Sequence, residues 1–299
     1  MKLENQQETT ENETLLIWRE RPAGFFSNYF FVLEGMQEAV DRNLQAVIGF
    51  PPRHNGIWNM QSRRQERWSD YFHVQEVITK RPPTNRNQLF SKSSKRLSNL
   101  SFADLNTLAE GQMKLRSDIK HEFDSIFTSN IATNNEEVLG VHFRGGDMYW
   151  HPDHPTPLLL HQMVFLVEQA LSEGPFTQVF VATDTPSFVR RLRRRVHAPV
   201  VSTFDFALPQ IFGRRLSVKR VLLDAYLLSK CAALIHTQSN VSFAASMLRG
   251  APYKVRWEAN LGRNPASLFG ALLSLIKRVV TPKLLSKELP HVDVVRRDK

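Results

Sequence analysis

The chain has one cysteine, Cys231, in 299 residues. A lone cysteine closes no internal disulfide and builds no cysteine-based zinc site. Long hydrophobic runs are missing as well. The most apolar stretch, ASLFGALLSLIKRVV near the C-terminus, is too short to span a bilayer and is cut by Lys277 and Arg278. The opening MKLENQQETTENET is polar and acidic, unlike a signal peptide or a membrane anchor. These absences set the expectation of a cytoplasmic protein without a transmembrane segment. Negative charge is also scarce: 39 basic residues face 29 acidic ones, a net charge of +10. That balance favours an anionic partner, whether nucleic acid, a membrane surface or a phosphorylated small molecule.

Several motifs are absent too. No G-x-G-x-x-G follows a strand-like run and no G-x-x-x-x-G-K-[ST] occurs, which argues against dinucleotide enzymes and P-loop phosphotransferases. No D-x-D pair occurs, which argues against enzymes that hold a sugar nucleotide through a metal on that motif. The segment HPDHP (His151, Asp153, His154) has metal-binding residue types, but its prolines and the lack of a third site favour a loop. No metal is expected.

With 42% hydrophobic and 23% charged residues, the chain has the composition of a globular protein. Residues 1–14 read as a disordered tail. TLLIW then reads as a strand, YFFVLEGMQEAVDR as a helix and LQAVIGF as a strand, which begins an α/β pattern. Lys80 to Leu100 is polar and basic, a surface loop first and a binding loop for an acidic acceptor second. Helical spacing resumes through FADLNTLAEGQMKLRSDIKHEFDSIF, and TSNIATNNEE reads as a linker. The second half alternates strands (VLGVHF, QVFVAT, APVVST, AALIHT, YKVRWE) with helices. Strands that are nearly continuous in apolar residues argue for parallel sheets covered on both faces. The boundaries are 15–133 for a first α/β domain, 134–260 for a second, and 261–299 for a C-terminal helix and tail.

In open parallel sheets, ligands bind outside the carboxyl ends of the strands. After VLGVHF come Arg144, Gly145, Gly146 and Asp147; after QVFVAT come Asp184 and Thr185; after AALIHT come Gln238, Ser239 and Asn240. Arg144 offers a planar fork of donors suited to a phosphate or diphosphate. The paired glycines let the backbone lie close to a ligand. Ser239 starts a helix whose positive end attracts anions. Each reading has a structural counterpart. Arg144 and Asp147 could form an ion pair, Asp184 before Thr-Pro could cap a helix, and His142 could be a core histidine. Asp224, inside an apolar helix face, needs a partner if buried.

VHFRGGD resembles the His-x-Arg-x-x-Asp motif of the fucosyltransferase clan, which includes α-1,6-fucosyltransferases, rhizobial nodulation fucosyltransferases and, more distantly, protein O-fucosyltransferases. VFVATDTPSF and SVKRVLLDAYLLSKCAALIHTQSNVS follow in the family's order, and GFFSNYFFVLEGMQEAVDRNLQAVI is similar to its first loop and helix. The resemblance runs from Leu15 to Trp257. It implies an α/β fold of GT-B type, two Rossmann-like domains facing a cleft, with the acceptor on the N-terminal side. The C-terminal domain would hold the donor substrate GDP-fucose, and transfer would be inverting, with neither metal nor cofactor. The acceptor would be a glycan or glycoconjugate hydroxyl.

By the same resemblance, Arg144 binds the diphosphate and stabilises charge on the departing GDP, and His142 lies along the nucleotide. Asp184 and Asp224 contact its guanosine part or order the site, and Thr237, Ser239 and Asn240 hold phosphate oxygens. Two departures stand out. Many members carry a second arginine where this chain has Gly145, so that contact is missing or supplied by Arg214, Arg215, Lys219 or Arg220. The acceptor base has no direct counterpart; Asp153 is the nearest candidate, with His154 and Asp147 behind it. Alternatives are a transferase of the same fold with another nucleotide sugar, and a basic nucleic-acid-binding protein using VRRLRRRV. The bland reading of that arginine run is a solvated helix face, and the aromatics that stack bases are not interleaved with it. Nucleic acid is therefore not the expected partner.

Overall fold

The computed structural model describes residues 14–18, 24–50, 67–78, 88–89, 100–131, 137–145, 155–206 and 218–263. The chain divides into two compact units, Met1–Ser101 with Thr107–Arg116, and Phe102–Asn106 with Ser117–Lys299.

In the first unit, β1 (Thr14–Trp18), β2 (Gln45–Phe50), β3 (Glu76–Ile78) and β4 (Gln88–Leu89) form a parallel sheet in the order β3-β2-β1-β4. Helix α1 (Phe25–Asp41) links β1 to β2 and begins one turn before the expected Tyr29. The added turn carries Phe25 and Phe26, which are buried and join Tyr29, Trp68 and Phe72 in one aromatic cluster. Each such ring removed from water contributes about 1.5–3 kcal/mol, enough to extend a helix.

The long stretch of helical spacing that starts at Phe102 forms two helices, not one. Helix α2 (Phe102–Gln112) and helix α3 (Ser117–Asn130) are separated by a short extended segment. There Leu115 bridges to Phe72 in antiparallel fashion, His73 N–H donates to Lys114 O (2.9 Å) and Arg116 N–H donates to Tyr71 O (2.9 Å). Backbone bonds to Tyr71 and His73, far upstream and visible to no local pattern, break the helix. Phe102–Asn106 of α2 belongs to the second unit and the rest of the helix to the first. Helix α3 runs on through Thr128 to Asn130, residues read from the sequence as linker. Thr128 Oγ1 and Asn130 Nδ2 donate back to the carbonyls of Asp124 and Ile126, which completes the last turn.

The second unit contains β5 (Val138–Phe143), α4 (Leu160–Glu173), β7 (Gln178–Thr183), α5 (Pro186–Arg195), β8 (Val200–Ser202), α6 (Val218–Lys230), β9 (Ala233–His236), α7 (Asn240–Arg249) and β10 (Val255–Glu258). Its main sheet has five parallel strands, in the order β10-β9-β5-β7-β8. β5 is central and fully buried. Its alternation sends Leu139, Val141 and Phe143 into a core with Met163, Val167, Phe188 and Leu192 of α4 and α5. Helix α6 covers the opposite sheet face. A short antiparallel pair, β6 (Pro155–Pro157) with β11 (Asn260–Arg263), was not foreseen. Counted from β5, the chain builds strands first to one side (β7, β8) and then to the other (β9, β10). The order therefore reverses between β5 and β9.

Candidate functional site

Such a reversal leaves a crevice at the carboxyl ends of the two central strands. The backbone there is tied together by its own side chains. Arg144 N–H donates to Thr237 Oγ1 (3.1 Å), joining the exits of β5 and β9. Thr237 N–H donates to His142 O (3.0 Å). Gly145 N–H donates to Asp184 Oδ1 (3.2 Å), joining the exits of β5 and β7. Thr185 Oγ1 donates to the same Asp184 oxygen (2.8 Å). Asp184 does not cap α5, whose N-cap is Thr185. Its carboxylate reaches across to the neighbouring strand exit instead.

Gly145 is held to glycine by this arrangement. A Cβ there would lie 2.8 Å from Thr185 Oγ1 and 3.3 Å from Phe143 Cε1. A side chain at position 145 would thus meet Thr185.

His142 is buried, with Nδ1 3.5 Å from Ser239 Oγ. Burial and the nearby charge of Arg144 lower its pKa to about 3, so the ring is neutral. Directly opposite on β9 stands His236, also buried and lowered to about 3 by burial and by Arg256. Arg256 Nε donates to His236 Nε2 (2.9 Å). A guanidinium only donates, so Nε2 carries the lone pair and Nδ1 the hydrogen. Nδ1 then donates to Thr237 O (3.2 Å). Arg256 itself lies over the ring of Phe102, 5.2 Å from its centroid.

Ser239 caps α7. Its Oγ accepts from Ser242 N–H (3.3 Å), and its own N–H donates to Ser242 Oγ (3.2 Å). Asn240, exposed, opens the helix. The first-turn N–H groups of α7 begin where β9 ends, beside Arg144. An anion in the crevice would meet the positive end of that helix.

Asp224 is buried on α6. Thr203 Oγ1 donates to its Oδ1 (2.7 Å), and Arg220 Nε donates to Thr203 Oγ1 (3.1 Å). Burial raises its pKa to about 7; the charge of Asp184 adds to this, while Thr203 and Arg220 oppose it. Asp184 and Asp224 therefore feel one another. Arg220, one of four substitutes considered for the missing arginine, stacks on Phe204 at 3.7 Å and serves this cluster. Lys219 pairs with Glu122 of α3 (2.7 Å).

The structure thus brings His142, Arg144, Gly145, Asp184, Asp224, Thr237, Ser239 and Asn240 to one edge of one sheet. Gly146, Asp147, His151, Asp153, His154, Arg214 and Arg215 lie outside the described residues. His236, Arg256 and Thr203 join the site residues without having stood out in the sequence. Two of these had a signal. His236 ends its strand as His142 nearly ends β5, and Thr203 stands at the exit of APVVST, where the strand-exit rule also applies. In the arginine run of α5, Arg193 binds Val200 O and Asp205, and Arg195 binds Glu168 (2.9 Å).

By sequence, no family model and no curated protein matches the chain. Solved structures do. A NodZ α-1,6-fucosyltransferase co-crystallised with GDP superposes with a TM-score of 0.52 at 17% identity, covering 86% of this chain and 97% of that one. The same enzyme soaked with GDP-fucose matches equally (TM-score 0.52, 17% identity, 84% and 96% coverage). NodZ from Bradyrhizobium gives 0.52 at 15% identity over 83% and 96%.

The chain has a fucosyltransferase-like fold. It is an α/β fold of GT-B type, as the resemblance implied. Among the described residues no helix is long and apolar enough to cross a membrane.

Proposed function

We propose that the chain is a glycosyltransferase that moves fucose from GDP-fucose to a hydroxyl of a glycan or related acceptor, with inversion and without a metal. One observation carries this reading. Where the strand order reverses, Arg144, the N-terminus of α7 and the Asp184–Asp224 pair converge on one crevice. Structures of the same fold were solved with GDP and with GDP-fucose.

In the proposed reaction the acceptor hydroxyl gives its proton to a carboxylate or histidine, for which Asp153 is the first candidate, with His154 and Asp147 behind it. The acceptor oxygen bonds the anomeric carbon of fucose from the face opposite the diphosphate. The bond from that carbon to the diphosphate oxygen breaks, and GDP leaves with the bonding pair. Charge grows on the diphosphate as it departs. The Arg144 backbone is tied to Thr237 and the α7 N–H groups are held by the helix, so these donors stand at the strand ends before the charge develops and stabilise it with little reorganisation. Thr237, buried, accepts from Arg144 N–H and ties that residue to the end of β9, and the more accessible Ser239 and Asn240 are the side chains for a phosphate oxygen. The guanidinium and the helix end supply the positive charge that a cation would otherwise bring.

Two measurements test this. GDP-fucose should bind more tightly than GDP-mannose or a UDP-sugar, and equally well in EDTA. Arg144→Ala should lower turnover ~10²–10³-fold, the loss typical of removing one oxyanion donor. Unchanged turnover in that variant would rule out the mechanism.

A further inference from the structure

Asp224 is held by a chain of bonds whose direction is forced. Arg220 Nε–H has no acceptor capacity, so the Thr203 oxygen must accept from it (3.1 Å). The single hydroxyl proton of Thr203 is then committed to Asp224 Oδ1 (2.7 Å). Arg220 precedes Asp224 by one turn on α6, and its guanidinium is fixed over the Phe204 ring at 3.7 Å. Among the described residues, no hydrogen bond reaches Asp224 Oδ2. A buried carboxylate with one oxygen clamped and the other turned to no protein donor is built to receive something from outside.

We propose that Thr203, set by Arg220, is a positioning residue for the donor: it keeps Asp224 ionised through Oδ1 and so leaves Oδ2 to accept from the N–H edge of the nucleobase. The inference rests on the reading of Asp224 as a donor contact. Charged groups face this carboxylate from each side. Arg220 lies on its own helix, Asp184 at the exit of β7, and Asp205 beside Arg220. Burial and Asp184 push the proton onto Asp224, whereas Thr203 and Arg220 push it off. Its ionisation is therefore balanced near neutral pH, and losing the Thr203 bond tips the balance toward the protonated acid. A protonated carboxyl is a poor acceptor for a nucleobase N–H.

The test is calorimetric titration of GDP into the full chain from pH 6 to 9, with each variant compared with wild type at the same pH so that titration of the phosphates cancels. One lost hydrogen bond to a charged group moves a midpoint by about one to two pH units. Thr203→Val should accordingly bind GDP roughly 5- to 50-fold more weakly at pH 7, with the loss shrinking to about twofold by pH 9. Thr203→Ser, which keeps the hydroxyl, should restore the wild-type profile. Arg220→Gln should shift the profile in the same direction as Thr203→Val, and it carries the test if the valine variant does not fold. A folded Thr203→Val protein whose loss is absent, or equal at every pH, overturns the inference. Wild-type protein that binds no GDP at any pH overturns the proposed function on which the inference rests.

Discussion

A methyl group at position 145 would press on Thr185 Oγ1 at 2.8 Å, an atom that cannot retreat without giving up its bond to Asp184. Gly145→Ala should therefore destabilise the fold by about 1–3 kcal/mol, the usual cost of overpacking. Removing the obstacle with Thr185→Ala should recover most of that loss. A urea double-mutant cycle would measure the coupling, and additive effects would refute the contact. Asp224 makes a different prediction. Its folded pKa, about 7, lies above the ordinary carboxylate value, so between about pH 4 and 7 the folded chain holds a proton that the unfolded chain has lost. This residue's stabilising influence is full at low pH and is lost as pH rises through that window, costing at most about 4 kcal/mol above it. Asp224→Asn should relieve the cost, raising the urea midpoint at pH 8 and flattening its change from pH 4 to 7. The same variant should lose nucleotide binding. A gain of stability with a loss of ligand is the mark of a group kept for function.

Among the elements, the pairing of β5 with β9 places two neutral histidines side by side. Both fall to about pKa 3 on folding, so the unfolded chain takes up protons at these two sites between about pH 6.5 and 3 that the folded chain refuses. Stability should fall through that window as pH drops, by about 1.4 kcal/mol per pH unit for each histidine. His236→Gln should roughly halve this acid slope, as read from denaturant midpoints across the range; an unchanged slope would contradict the burial assigned to His236. Much at this scale was legible. Runs such as VLGVHF and QVFVAT are apolar end to end because a central parallel strand has no wet face, and they announce both the sheet and its exits. Three features were not legible. The break between α2 and α3 depends on Phe72, far away in sequence. His236 becomes a tautomer-fixed donor only because β10 sets Arg256 beside it. Asp184 read equally well as a helix cap, and only the neighbouring strand's Gly145 decides otherwise.

At the scale of the whole molecule, two parallel sheets in two units have the fold of NodZ at an identity of 17%. A crevice at a reversal of strand order depends on a few positions at strand ends and tolerates almost any apolar filling around them. The net charge of +10 now divides into parts with different work. Arg193 and Arg195 of α5 pair with Asp205 and Glu168 on the surface, and Arg144 stands half-buried at the end of β5. The most direct test of the account is calorimetric titration of GDP-fucose in EDTA into the wild-type protein and into Arg144→Ala, with folding of both checked by circular dichroism. The account expects saturable binding by the wild type and its loss in the variant. A folded wild type that binds no guanine nucleotide, or a variant that binds as well as wild type, would contradict it.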